Sequence, residues 1–247
     1  MKAAPTLHPV QTLPGFLAAV VGRAEQASLP VETDEETRRA SERSVLAQCF
    51  DVAPERVVFL KQEHGVQTLK IDGDMLEADA TYQGVGDALF TEEPGIVIAV
   101  RTADCLPVFV WMESPNKRLA GLIHAGWRGM ADGIISSAIV RMLGRFAEET
   151  PRVTWATGPA AGGQRYEVGP EVARRFELPG RKQGDRYLLD LTANAALQID
   201  RLARNHGGSA WKRLRDFEAC TIEENRRFFS HRCGDTGRNL NATQLQD

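Results

Sequence analysis

The chain has 247 residues, 43% of them hydrophobic, so it is long enough to bury a substantial core. Its 30 basic and 33 acidic residues give a formal net charge of -3, which excludes the overall positive field that recruits nucleic acid or an anionic membrane surface. No apolar stretch approaches the roughly 18 residues that a membrane span requires, which leaves a small neutral or anionic molecule as the open class of partner.

The first half of the chain is predicted to consist mainly of strands, with one early helix. The apolar run at 13–22 is broken by a Pro-Gly pair and is typical of a strand rather than of a signal core. A helix is expected over 33–50, because Thr33 or Asp34 can cap its start and apolar residues gather on one face at its end. Further strands, rich in β-branched residues, are predicted at 57–62, 68–71, 78–82, 95–102, 106–112 and 118–123.

The pattern becomes more helical after residue 128. Apolar side chains recur at three- and four-residue spacing from Arg128 to about Phe146, as in an amphipathic helix that covers a sheet. No linker rich in Gly, Ser or Pro divides the chain, so one α/β domain is expected, with mixed, largely antiparallel sheet and helices on its outside. The remaining predicted elements are helices at 169–178 and 191–207 and strands at 153–158 and 217–220.

The strongest chemical pattern lies in two strands separated by the turn-forming residues ESPN at 113–116, which predict a β-hairpin. If the strands pair symmetrically about this turn, Leu106 faces Ile123 and Cys105 faces His124. Directly opposed residues have Cβ atoms about 4.5–5.5 Å apart. The thiol and the imidazole are therefore predicted to be close enough to share a metal or to form a thiolate–imidazole pair.

A third group of the same kind is expected from KQEHGV at 61–66, where an apolar strand again ends at a histidine followed closely by glycine. His64, Cys105 and His124 would form a two-His, one-Cys set, which is typical of catalytic zinc sites because the fourth position is left for water or substrate. The alternative interpretation is that each histidine is a hydrogen-bonded residue at a strand end and that Cys105 is a small buried hydrophobic residue.

Five motifs follow one another along the chain: HGV at 64–66, TADCLPV at 102–108, HAGWRG at 124–129, GP…YEVGPEV across 158–172 and FFSHR…TGR across 228–238. In their order and spacing they resemble the laccase-domain, or polyphenol oxidase-like, family, and the resemblance covers roughly residues 55–240. Members of that family have been described as polyphenol oxidase-like proteins, as purine nucleoside phosphorylases with adenosine deaminase activity, and as peptidoglycan-editing factors.

The resemblance implies that His64, Cys105 and His124 bind zinc and that the fold is a layered α/β/β/α arrangement, which also occurs in a cysteine-dependent deamidase toxin domain. Where the family usually has Thr-Arg-x-Gly-Gly, this chain keeps an arginine, Arg23, but no glycine pair. Where the family often carries cysteines before Tyr-Glu-Val-Gly, the chain reads AAGGQR at 160–165. These differences leave the zinc ligands intact and affect the substrate pocket, for which Arg23 is a candidate binding residue.

The resemblance favours a zinc-dependent purine nucleoside enzyme that phosphorolyses adenosine or inosine-type nucleosides and deaminates adenosine. Its catalytic residues would be Cys105, His124 and Asp104. Asp104 is a candidate general acid/base or partner of a ligating histidine, and alternatively a carboxylate with local hydrogen bonds only. Arg128, at the start of the predicted helix, is placed to bind phosphate or another anion. Trp127 either stacks on a base or fills the core.

Two other functions are alternatives. A metal-free hydrolase or deamidase would use the same residues, with Cys105 as a nucleophile that His124 activates. A function of another class is a non-enzymatic protein, or one that edits or binds peptidoglycan precursors. A laccase is disfavoured, because five histidines are too few for a multinuclear copper cluster beside a blue-copper centre. Copper is therefore a weaker alternative to zinc and would be a single ion.

The four cysteines lie far apart in a chain too large to need disulfides, which indicates free thiols in a reducing compartment. A cytoplasmic protein is expected. The predicted partners are a purine nucleoside and phosphate, without nucleic acid or membrane, and the protein is expected to be a monomer.

Overall fold

A computed structural model, which describes residues 8–26, 34–76, 80–146, 149–207, 210–214 and 219–247, contains two mixed β-sheets with helices on their outer faces. The strands are β1 (His8–Leu13), β2 (Phe16–Val21), β3 (Val57–Phe59), β4 (Thr68–Lys70), β5 (Ala88–Thr91), β6 (Val97–Thr102), β7 (Leu106–Glu113), β8 (Arg118–Ala125), β9 (Arg152–Thr157), β10 (Glu167–Val168), β11 (Arg181–Gln183), β12 (Arg186–Leu188), β13 (Trp211–Arg213) and β14 (Asn239–Leu245). The α-helices are α1 (Arg23–Gln26), α2 (Glu35–Phe50), α3 (Trp127–Ala131), α4 (Ile134–Leu143), α5 (Pro170–Ala173) and α6 (Leu191–Asn205), and 3-10 turns occur at Pro54–Arg56, Gly73–Met75 and Gly144–Phe146.

The two large sheets form the middle layers of the molecule. The first has the strand order β1-β2-β14-β6-β3, the second has the order β13-β9-β7-β8-β5-β4, and β10, β12 and β11 form a small third sheet. Most neighbouring strands are antiparallel, whereas the pairs β3–β6, β4–β5 and β9–β13 are parallel. The prediction of a mixed α/β fold with largely antiparallel sheets is confirmed.

Alternation along the strands builds three apolar layers. In β2, Ala18 and Val20 point into the space between the sheets, where they share a core with Phe109 and Trp111 of β7. Ala19 and Val21 point the other way, into a core closed by α2. Helices α4 and α6 cover the outer face of the second sheet. The layers therefore follow the order α/β/β/α that the family resemblance implied.

Both long helices begin where the sequence provides an aspartate cap. The helix expected over 33–50 is α2, and the Asp34 side chain accepts a hydrogen bond from Thr37 N at 2.7 Å. The helix expected over 191–207 is α6, in which the Asp190 side chain accepts a hydrogen bond from Ala193 N. The strands expected at 13–22, 95–102, 106–112, 118–123 and 153–158 are also present, with shifted ends.

The register of the β7–β8 hairpin differs from the symmetric pairing about residues 113–116. Leu106 faces Ala125 rather than Ile123, and His124 faces Pro107 rather than Cys105. The strands are longer than predicted, because Glu113 stays in the sheet opposite Arg118. The turn therefore lies one residue later in the sequence than predicted. As a result, each residue of β7 faces a residue of β8 that is two positions further along the chain than predicted. A shift of two leaves every side chain on its predicted face.

The helix predicted from Arg128 to about Phe146 is three separate pieces, namely α3, α4 and the 3-10 turn at Gly144–Phe146. The break falls at Gly133, whose φ of 92° lies in the left-handed region that a side chain disfavours. Arg128 therefore belongs to a helix of only five residues.

Other sequence predictions were wrong in extent. Of the strand predicted at 78–82, residues 80–82 are not strand and the first two lie outside the described residues. The helix predicted at 169–178 is helical only at Pro170–Ala173. At 217–220, the first two residues are outside the described part of the chain, and Cys220 forms an isolated bridge with Ala160. The sequence analysis did not predict strands β1, β5, β14 or the short strands β10 to β13. Within the described residues, no helix is both long and apolar enough to cross a membrane.

Candidate metal centre

Three loops bring His64, Cys105 and His124 together at the ends of the two sheets. His64 follows β3, Cys105 precedes β7 and His124 lies near the end of β8. Their potential ligand atoms all lie within 4.8 Å of one another. Sγ of Cys105 is 3.8 Å from Nε2 of His64, and the two imidazole rings meet edge to face with centroids 4.9 Å apart. The fold thus unites the three residues selected from the sequence.

The backbone around this cluster is strained at two positions. His64 has a φ of 60° and Asp104 a φ of 84°, and both are non-glycine residues in the left-handed region. Such conformations cost about 1–3 kcal/mol each and persist where the surrounding structure enforces them. Gln62 helps to enforce the conformation of the His64 loop. Its side-chain amide accepts a hydrogen bond from N of Arg101 at 2.8 Å and donates one to O of Arg101 at 2.9 Å, which connects the loop to β6.

The glycines of HAGWRG allow the three loops to approach one another. A Cβ on Gly126 would lie 2.9 Å from Cδ2 of His64 and 3.0 Å from Sγ of Cys105. A Cβ on Gly129 would lie 2.7 Å from the carbonyl oxygen of Gly65. Both positions therefore require glycine so that α3 can pack against the His64 loop.

A buried carboxylate that sequence analysis missed, Asp87, organises both histidines. Its Oδ1 accepts hydrogen bonds from Nδ1 of His124 at 2.8 Å and from the backbone N of His64 at 2.9 Å. Its Oδ2 accepts the backbone N–H groups of Gly65 and Glu63. The bond to Nδ1 fixes the ring of His124 so that Nε2 is free to bind a metal, which is the arrangement that metal-binding histidines commonly have.

In the metal-free protein, the cluster favours a thiolate–imidazolium pair. Burial raises the pKa of the Cys105 thiol, but the charge of His124 and hydrogen bonds from His124 and His64 outweigh burial and lower the pKa to about 6. Burial lowers the pKa of His124, but the charge of Cys105 and the Asp87 hydrogen bond outweigh it and raise the pKa to about 9. Between these values the thiol is deprotonated and the imidazole is protonated.

The donor set fits a single soft or borderline metal ion. Two imidazoles and a thiolate suit zinc or copper and leave a position for water or substrate. Tetrahedral ligands at about 2.0–2.3 Å from an ion are about 3.3–3.8 Å apart, and the distance of 3.8 Å between Cys105 and His64 agrees with this. Among the residues that the structure describes, this is the one group of His, Cys, Asp and Glu side chains with such convergence.

Asp104 has a different environment from the one predicted for a histidine partner. It is buried, and its Oδ1 accepts the hydroxyl of Thr221 at 2.7 Å while its Oδ2 accepts the backbone N of Arg232 at 2.8 Å. Its carbonyl oxygen accepts N–H of Ala161. These bonds hold the bend before Cys105, whereas the bond to a ligating histidine is made by Asp87.

Of the two arginines proposed to bind substrate, the structure brings only Arg128 to the site. Arg128 is exposed, lies 4.4 Å above the ring of half-buried Trp127, and lines the same cavity as the metal cluster. Arg23 is bound elsewhere, because its guanidinium donates to Asp235 Oδ2 at 2.5 Å and to Asn225 O at 2.9 Å. Arg23 is not among the residues that line the cavity.

The cavity has a volume of about 600 Å³, which is within the usual range for small-molecule sites. Its wall includes the three cluster residues, Asp104 and Tyr166. Burial raises the pKa of Tyr166 to about 12, so its phenol stays protonated. The cavity is electropositive, since against the carboxylates of Glu35 and Asp104 it is lined by Lys61, Arg101, Arg128, Arg232 and Arg238. An anionic group is the favoured occupant.

Comparison with known proteins identifies relatives across most of the chain. A model of the family described as multi-copper polyphenol oxidoreductase laccase matches residues 25–246. Purine nucleoside phosphorylase YfiH of Shigella flexneri is 33% identical over 188 residues, covering 72% of this chain and 69% of its own. A purine nucleoside phosphorylase of Deinococcus radiodurans is 32% identical over 239 residues, covering 94% of this chain and 86% of its own.

Solved structures have the same fold. The YfiH protein of Bacillus licheniformis, described as hypothetical, has a TM-score of 0.78 and 25% identity, with 98% of this chain and 97% of that chain covered. YlmD from Geobacillus stearothermophilus has a TM-score of 0.77 and 30% identity, with 94% and 93% covered. The layered fold is therefore shared over nearly the whole chain.

Proposed function

Because this chain belongs to the multi-copper polyphenol oxidoreductase laccase family, the laccase-domain proteins, we propose that it is a zinc-dependent purine nucleoside phosphorylase that also deaminates adenosine. The observation that carries the proposal is the position of the His-Cys-His cluster in the wall of a basic cavity of about 600 Å³. A nucleoside and a phosphate suit its volume and its charge. Among the residues that the structure describes, one ligand group converges, which supports a single ion.

In this proposal His64, Cys105 and His124 hold the metal. A zinc ion there would supply a Lewis acid and a bound water whose pKa is lowered towards neutrality. Asp87 keeps the ring of His124 in the orientation and tautomer that ligation requires. Its bonds to the backbone of His64 and Gly65 hold the second histidine loop against the first.

Phosphorolysis requires a phosphate oxygen to bond to the anomeric carbon of the ribose while the bond to the purine nitrogen breaks. The purine leaves with the electron pair and takes up a proton. Arg128, exposed at the cavity, binds and orients the phosphate. Asp104 lines the cavity and is the candidate for proton transfer, which requires it to exchange its bond to Thr221 or Arg232 for one to substrate.

Deamination in the same cavity replaces the purine amine by an oxygen from water and releases ammonia. The half-buried Trp127 packs partly against the core, and it also lines the cavity. Its ring therefore offers a surface beside which a purine can lie.

Metal removal tests the proposed function. The purified protein with adenosine or inosine in phosphate buffer is expected to yield inosine, or free base and ribose 1-phosphate. Stripping the metal with a chelator stops turnover, and added zinc restores it, because the substrate site includes the ion. Chromatography of bases and nucleosides measures both products. Full activity after complete metal removal would contradict the proposal.

A metal-free Cys-His hydrolase or deamidase is the second candidate, and the lowered pKa of Cys105, about 6, favours it. In that mechanism the thiolate forms a bond with the substrate. Chelation would then leave activity intact or raise it, and mass spectrometry would find an adduct on Cys105. Cys49 is an internal control for adduct formation, because burial raises the pKa of its thiol to about 11.

Arg128 provides a separate test of phosphate binding. In Arg128→Ala, the KM for phosphate is expected to rise by roughly tenfold or more, since a charge-assisted hydrogen bond is lost. The melting temperature should change little, because the side chain is exposed and its contact is with the Trp127 ring. A large loss of stability with unchanged phosphate dependence would assign Arg128 to packing instead.

A further inference from the structure

The basic wall of the cavity includes two arginines, Arg101 and Arg238, that come from neighbouring strands of the first sheet. Arg101 lies near the end of β6 and faces Leu240 of β14. Arg238 directly precedes β14, two residues before Leu240. Both side chains line the cavity, and they are close enough for the charge of Arg101 to act on Arg238. Two guanidinium groups in one wall of a cavity can donate hydrogen bonds to the same anionic group.

Arg101 is held in place by a buried ion pair. Its Nε lies 3.0 Å from Oε2 of Glu42, and Gln62 binds its backbone on both sides. Glu42 also forms an ion pair with Arg39, and Glu42 and Arg39 are 3% and 1% exposed. One carboxylate thus pairs directly with two guanidinium groups, while Glu35 adds a second negative charge that acts on both arginines without a direct ion pair.

Arg238 adds a further positive charge. It donates hydrogen bonds from one terminal nitrogen to the carbonyl oxygens of Thr236 and Gly237. Within the described part of the chain, it forms no ion pair with a carboxylate. Burial and the charge of Arg101 lower the pKa of Arg238. Two cations that repel each other at a partly buried wall are stabilised by an anion placed between them.

The carboxylates that line the cavity are already engaged. Glu35 accepts the hydroxyl of Tyr82 at 2.5 Å. Asp104 accepts hydrogen bonds from Thr221 and from the backbone of Arg232. Glu35 acts on Arg101 and Asp104 acts on Arg238 through their charge, but among the described residues neither carboxylate forms a direct ion pair with these arginines, so guanidinium donors remain for a ligand.

We propose that Arg101 and Arg238 form a phosphoryl-binding subsite, distinct from Arg128, at this wall of the cavity. Arginine suits a phosphoryl group because its planar fork makes two parallel hydrogen bonds to phosphate oxygens. The group is either free phosphate or the 5′-phosphate of a nucleoside monophosphate. The identity of the remaining part of the ligand as a purine nucleoside rests on the proposed function, whereas the phosphoryl subsite itself does not.

Calorimetric titration tests the subsite without relying on turnover. Inorganic phosphate, adenosine and adenosine 5′-monophosphate are titrated into the wild-type protein and into Arg101→Met and Arg238→Met. Each variant is expected to weaken binding of a phosphoryl-bearing ligand by roughly tenfold to a hundredfold, and to leave adenosine binding within about twofold. The matched control is Arg152→Met, since Arg152 is a surface arginine paired with Glu113 outside this cavity.

The ligands distinguish the two sources of the phosphoryl group. Weaker binding of inorganic phosphate assigns the subsite to the free anion, and weaker binding of the monophosphate alone assigns it to the 5′-phosphate. Arg101→Met leaves Glu42 with Arg39 only, so melting temperatures are measured, and Arg238→Met provides a variant with no contact to Glu42. Unchanged affinities for both phosphoryl ligands in Arg238→Met, or no binding of either ligand to wild type, overturn the proposal. If the affinities fall but no nucleoside is phosphorolysed, the subsite stands and the proposed function fails.

Discussion

The double variant Cys105→Ala, His124→Ala is expected to lose stoichiometric metal binding and, with it, all measurable turnover of purine nucleosides. The substitutions remove two of the three side chains whose donor atoms converge within 4.8 Å. A single remaining imidazole, His64, holds zinc only weakly, because tight sites need at least three protein ligands. Elemental analysis after dialysis measures the metal content per chain.

The control for this experiment is Cys233→Ala, His206→Ala, which removes the same two residue types at exposed positions outside the cluster. It should bind metal as the wild type does. Both double variants need a melting curve, because the cluster also packs the three loops together. One zinc per chain retained in the Cys105→Ala, His124→Ala protein would show that the metal lies elsewhere.

Asp87→Ala is expected to have the largest effect on stability of any single substitution at the site. The Asp87 carboxylate is 1% exposed and accepts four hydrogen bonds, from Glu63, His64, Gly65 and His124. Removing it leaves buried donors unpaired, which costs about 3–5 kcal/mol for a buried charged network. Metal affinity should fall by about 10- to 100-fold or more, because His124 loses its orienting partner.

Denaturant unfolding and zinc competition measure the two effects separately. Asp235→Ala is a matched control, since Asp235 also accepts hydrogen bonds from several groups, among them Arg23, Asn225 and the backbone of Ser230. It should lose stability and keep its zinc affinity. Equal zinc affinities for Asp87→Ala and the wild type would show that Asp87 supports the fold alone.

The contribution of Asp87 also has a defined pH dependence. Burial raises the pKa of this carboxyl, but hydrogen bonds from His124 and Gly65 outweigh burial and hold the pKa below its ordinary value. A lowered folded-state pKa stabilises the protein above the unfolded-state value of about 3.9, and the contribution disappears as the pH falls below that value. The difference in unfolding free energy between wild type and Asp87→Ala should therefore shrink in acid.

The sequence allowed prediction of the elements whose pattern is local. The helix α2 has its cap at Asp34, and β7 and β8 have long apolar runs on both sides of a turn, so each was identified. The single helix predicted from Arg128 to Phe146 failed because apolar spacing continues through Gly133, although a φ of 92° there interrupts the helix. Periodicity reports which face is buried, and it does not report a backbone break.

The metal cluster could be predicted because Cys105 and His124 lie at neighbouring ends of the β7–β8 hairpin and the family motifs include all three ligands. Asp87 could not, because it acts through contacts with residues more than 20 positions away in sequence. Its only local signal is an acidic residue directly before the short buried strand β5. Arg101 was passed over for a similar reason, because its partner Glu42 lies 59 residues earlier, on α2.

The position of β14 has a consequence for the order in which the molecule forms during synthesis. This strand lies between β2 and β6, with Leu240 opposite Val21 on one side and Arg101 on the other. The hairpin of β1 and β2 therefore takes its place in the sheet only after residues 239–245 have been synthesised. Strands β7, β8 and β9 lie within residues 106–157 and pair without that requirement. Until β14 is available, β2 lacks one of its two neighbouring strands, and incompletely paired strands of this kind make a nascent chain prone to aggregation.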